Sequence, residues 1–96
     1  MNGAAGDAAD GSGGDSRRAT LVVPECGVVA MPLTISLWLV PEGADVLDGE
    51  RVVELLAGGG TIDLEAPVTG RLLRQLVDED EPVSPGMPIA VFEAGE

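Results

Sequence analysis

The sequence predicts an all-β domain, a sandwich or flattened barrel made of two similar halves related by a pseudo-two-fold axis. Three observations predict it. Apolar residues alternate over short stretches, turn residues recur between those stretches, and a segment repeats at an offset of 37 residues.

Six strands follow from the alternation: Ala19–Val23, Ile35–Val40, Arg51–Leu56, Thr61–Glu65, Arg71–Val77 and Pro88–Phe92. Alternation of this kind suits a sheet with one buried and one solvated face. The breaks are rich in turn formers: PEG at 41–43, DG at 48–49, GGG at 58–60, PVTG at 67–70 and a Pro/Gly segment at 82–88. No stretch combines a helical period with start and stop signals.

The repeat sets residues 39–52, LVPEGADVLDGERV, over residues 76–89, LVDEDEPVSPGMPI. Leu39/Leu76, Val40/Val77, Glu42/Glu79, Val46/Val83 and Gly49/Gly86 are identical pairs, and Val52/Ile89 is conservative. Each copy reads as strand, turn, short strand, turn, strand. One copy alone leaves an apolar face open; two copies cover each other.

Composition bounds the rest. The 96 residues suffice for one domain. Residues 1–18 are mostly Gly, Ala, Ser and Asp, with Met1 their only bulky apolar residue, and are expected to form a disordered tail or linker ahead of a domain over 19–94. One Trp, one Phe and no Tyr leave the core to Val, Leu, Ile and Ala, a supply that suits a thin sandwich. Seventeen acidic residues against five basic ones give a net charge of −12, which disfavours nucleic acid and anionic membrane as partners. A basic protein partner is compatible with that charge. The N-terminus has no basic region followed by an apolar stretch, and the interrupted apolar run 28–40 is too short to span a bilayer, so a cytoplasmic location is expected.

Two zeros carry the chemistry. The sequence contains no histidine and no lysine; its basic residues are Arg17, Arg18, Arg51, Arg71 and Arg74. No imidazole base or ligand and no ε-amino group is therefore available. With a single thiol, Cys26, there is no internal disulfide and no cysteine zinc site. No metal centre and no catalytic residue is expected, and no enzymatic activity.

On these residues the chain resembles the lipoyl domain of 2-oxo acid dehydrogenase acyltransferases and its biotin-carrying relative, over roughly residues 20–93. Pro24 and Gly27 match an opening P-x-x-G, and Trp38–Leu39 match a W-L pair. Gly43 and Val46 match G-D-x-V, with Ala44 in place of the aspartate, and Gly49 matches the glycine before the third strand. TIDLEAPVTG at 61–70 follows the downstream pattern, APVTG being like the A-P-x-x-G of biotinyl domains, and Val83, Gly86 and Ile89–Val91 close the second half. The resemblance implies a barrel-sandwich hybrid of two four-stranded antiparallel sheets.

The departure falls at the attachment site. Members of that family carry E-T-D-K or (A/V)-M-K at the tip of the hairpin joining the halves, and the lysine holds the prosthetic group. Here Leu56, Ala57, Gly58 and Gly59 take the E-T-D-K positions, Gly60 follows, and Gly59 stands where the acceptor lysine would be. Amide attachment needs a side-chain amine, so neither lipoate nor biotin is expected as a cofactor. The glycine tip, Leu56 to Gly60, has two readings: a relaxed turn that accepts glycine at positive φ, or a tip reshaped for contact with a partner.

Other features have plainer readings. Asp78–Glu81 matches no calcium-loop spacing and suits a solvated turn. Cys26 reads as a small half-buried residue, Trp38 as a packing residue, and Arg71 and Arg74 as surface positions. The expected function is a non-catalytic binding or scaffolding module for an acyltransferase-like, dehydrogenase-like or acyl-carrier partner. The alternatives are a structural sandwich domain of a larger transport or biosynthetic assembly, and a carrier modified at a non-lysine site.

Overall fold

A computed structural model describes residues 17–25 and 32–95. Most of the expected tail, and Cys26 with its expected half-buried state, lie outside the described residues. Among the described residues eight strands form: β1 (Arg18–Val22), β2 (Leu33–Trp38), β3 (Asp45–Val46), β4 (Arg51–Ala57), β5 (Gly60–Glu65), β6 (Gly70–Gln75), β7 (Pro82–Val83) and β8 (Pro88–Ala94). They pair antiparallel in two four-stranded sheets, ordered β1-β8-β6-β3 and β5-β4-β2-β7.

Replacing each strand of one sheet by the strand four places away generates the order of the other sheet. The halves β1–β4 and β5–β8 are therefore interlocked, each contributing two strands to each sheet. The 37-residue offset is structural: β2 and β6, β3 and β7, and β4 and β8 begin and end 37 positions apart. Their irregularities match too, because the β2–β4 ladder slips between Ile35 and Leu37 and the β6–β8 ladder between Leu72 and Arg74. Such a bulge adds one residue to one strand and resets its alternation. This explains how Arg71 and Arg74 both reach solvent from one strand.

The two short strands are those expected between the turns of each repeat copy, and the structure gives their bounds as Asp45–Val46 and Pro82–Val83. The Pro/Gly segment at 82–88 contains one of them, Pro82–Val83, held by pairing to Leu33 and Thr34. Two residues are too few to show alternation, so the tertiary partner sets their bounds. The first strand begins one residue before the expected domain boundary, at Arg18.

The core lies between the sheets. Phe92, Ile35, Leu55, Leu72, Ile89, Val23, Val52 and Val53 are the largest fully buried side chains, and among the described residues no polar or charged side chain is buried. Six of these form three pairs across the repeat offset, Ile35/Leu72, Val52/Ile89 and Leu55/Phe92. Each half thus fills equivalent space in the other.

Candidate functional site

Strand β4 ends and β5 begins at a two-residue hairpin. Ala57 pairs with Gly60, and Gly58 and Gly59 are the central residues. Gly58 has φ 59°. Gly59 is outside the left-handed region, so positive φ is needed only at the first central position, as in a type II′ turn. The backbone therefore requires glycine at 58 but not at 59 or 60. A Cβ on either of those would meet no atom within 4 Å.

The tip stands at one end of the domain. The turn after β3 returns the chain to the start of β4, while Val46 pairs with Gly70, which pairs in turn with Ala94. Those pairs mark the far end of β4, about 20 Å from the tip at the rise of an extended strand. There the Arg17 guanidinium donates to the Ala94 carbonyl at 3.0 Å, so the beginning of β1 and the end of β8 lie together, away from the hairpin.

The five residues of the candidate site come together at this tip. Leu56 is 45 % exposed on the outer face of its sheet, Ala57 turns inward, and Gly58, Gly59 and Gly60 are exposed. Register places Thr61 and Thr34 on either side of Leu56, and Pro82 beyond Thr34. Thr34 and Pro82 escaped sequence reasoning, because the register joining them to Leu56 depends on residues far apart in the chain.

The other singled-out residues serve the scaffold. The Trp38 indole is half-buried and donates through Nε1 to the Val77 carbonyl at 3.0 Å. In the acidic turn, the Glu79 carboxylate accepts from the Trp38 N–H at 2.9 Å, and that of Glu81 from the Asp78 N–H at 3.2 Å. No group of metal-ligating side chains gathers there or elsewhere among the described residues. Gly70, the glycine of APVTG, allows close strand contact: a Cβ there would overlap the Glu93 carbonyl oxygen.

The scaffold is similar to those of known proteins. The profile of the family described as "Biotin-requiring enzyme" matches residues 19–92. A dihydrolipoyllysine-residue acetyltransferase component of an acetoin cleaving system, from Pseudomonas putida, is 31% identical over 77 residues. That alignment takes in 80% of this chain and 21% of the relative. A solved single-chain, multi-domain long-chain acyl-CoA carboxylase superposes with a TM-score of 0.68 at 28% identity. The match covers 93% of this chain and 8% of the carboxylase.

Proposed function

This chain belongs to the biotin- and lipoyl-bearing domain family, and we propose that it acts there as a non-catalytic docking module that carries no prosthetic group. One observation carries the reading: none of the 96 residues is a lysine, and the hairpin where an acceptor belongs holds Gly58 and Gly59. The chemistry is direct. Lipoate and biotin are joined through an amide to a side-chain amine, and an arginine guanidinium, protonated at any physiological pH, does not substitute for it.

The two-sheet scaffold that presents the tip is nevertheless complete. A domain that retains its surface but lacks a cargo site still offers that surface for recognition. Domains of this family are carriers rather than catalysts, and they work within larger assemblies. An acyltransferase-like or 2-oxo acid dehydrogenase-like partner is the reading supported by the acetyltransferase relative, and the acyl-CoA carboxylase adds a second class of assembly. The same likenesses support a second reading, a structural sandwich inside a longer chain. The domain spans 21% of one relative and 8% of the other. Its first and last described residues also emerge side by side, at the end away from the tip.

Calorimetric titration of the purified chain into acyltransferase cores and 2-oxo acid dehydrogenases from its own genome tests the docking role. Saturable binding by the unmodified chain is expected. Failure to bind any of them overturns that role in favour of the structural reading.

A further inference from the structure

The pseudo-two-fold axis gives every surface position an internal reference. Beside the hairpin, the outward row across β5-β4-β2-β7 reads Thr61, Leu56, Thr34, Pro82. Its counterpart across β1-β8-β6-β3 reads Arg18, Glu93, Arg71, Asp45, with Arg71 Nε 3.7 Å from Asp45 Oδ1. The backbone is equivalent in the two rows and both line the outer face. One row alternates in charge, as a solvated sheet surface commonly does, and the other carries no charge. The fold accommodates either, so folding alone does not dictate the uncharged row.

The charged side chains nearest that row are carboxylates, one of which, Asp63, is paired with Arg51 of β4 at 3.3 Å. Glu54 lies two residues before Leu56 on the same face, bonded to the Ser36 hydroxyl at 3.1 Å, and Asp80 and Glu81 lead directly into Pro82. Residues 33–37, 54–63 and 78–84 contain no arginine. The result is a neutral strip, centred on an exposed leucine and bordered by carboxylates, in a chain of net charge −12.

We propose that this strip is a docking surface for a protein whose contact face has an aliphatic centre bordered by arginine or lysine side chains. The proposal rests on the docking-module reading and specifies the chemistry of its partner. Burial of Leu56 supplies affinity, while the carboxylate border steers basic faces in and repels acidic ones. The charged counterpart row is the surface that the partner passes over.

The test is an amide-shift titration of the labelled chain with a synthetic helical peptide bearing a leucine face bordered by arginines. One control peptide replaces the leucines by serine, and the other replaces the arginines by glutamate. Shifts centred on Thr34, Leu56 and Thr61 are expected, with about tenfold weaker binding for both controls and for Leu56→Ser. Arg71→Ser in the charged row leaves affinity unchanged. Equal binding by the serine control overturns the proposal, since charge alone would explain it, and so does the absence of binding. Shifts centred instead on exposed Leu39 and Leu76 overturn the proposal too, but leave the docking role standing.

Discussion

Trp38 and Gln75 occupy the same place in the two halves, and each reaches across to the other half. Trp38 Nε1 donates to the Val77 carbonyl and Gln75 Nε2 to the Val40 carbonyl, both at 3.0 Å. Their backbone N–H groups are satisfied in parallel, Trp38 by the Glu79 carboxylate at 2.9 Å and Gln75 by that of Glu42 at 2.8 Å. An indole and a carboxamide share little except a donor at the end of a side chain. That shared donor is what the position requires.

Trp38→Phe keeps a ring and removes the donor, leaving the Val77 carbonyl without it. A loss of about 1 kcal/mol in urea unfolding is expected, and Gln75→Leu should cost a similar amount. A change near zero for both would show that water replaces the two bonds.

Four positions at the turns also pair through the axis. Gly43 and Asp80 have φ 90° and 72°, and Gly49 and Gly86 have 89° and 86°. Aspartate tolerates the left-handed region better than most residues and already holds it at 80. Gly43→Asp should therefore cost less than Gly43→Val, by about 1 kcal/mol in denaturant unfolding. Equal costs would contradict the equivalence of the two turns.

Gly70→Ala acts through space, not through φ. Its Cβ would overlap the Glu93 carbonyl oxygen and lie 2.8 Å from the Gly95 nitrogen, and both are backbone atoms. Destabilisation of about 2 kcal/mol or more is expected by calorimetry, with the β6–β8 ladder opening first at its Gly70–Ala94 end in hydrogen exchange.

Phe92→Ala removes the largest fully buried side chain. At about 3–5 kcal/mol, the loss is comparable to the whole stability of a domain this small. The variant should show little native circular dichroism at 25 °C; a cooperative transition close to that of the parent would contradict the core described above.

Much of this architecture was legible because the repeat was legible. Gly49/Gly86 and Val46/Val83 fixed both the turns and the offset, and β2–β4 and β6–β8 obey that offset. The short strand of each copy was readable from the repeat, but its bounds at Asp45–Val46 and Pro82–Val83 were not, since a two-residue strand has no period. Arg71 and Arg74 were readable as surface positions, but the bulge between Leu72 and Arg74 that lets both reach solvent was not. At the tip, Leu56 to Gly60 were readable as a hairpin from the GGG run. The strip that continues from Leu56 through Thr34 to Pro82 was not, because three strands from both halves meet there.

The central claim concerns an acceptor position that is structurally open but chemically empty. Intact-mass measurement of the chain after co-expression with lipoate and biotin ligases tests it most directly, with Gly59→Lys alongside. Space around residue 59 is free, so that variant should fold with stability within about 0.5 kcal/mol of the parent. The parent should emerge at its polypeptide mass and Gly59→Lys should gain a lipoyl adduct. A prosthetic-group adduct on the parent chain would contradict the account.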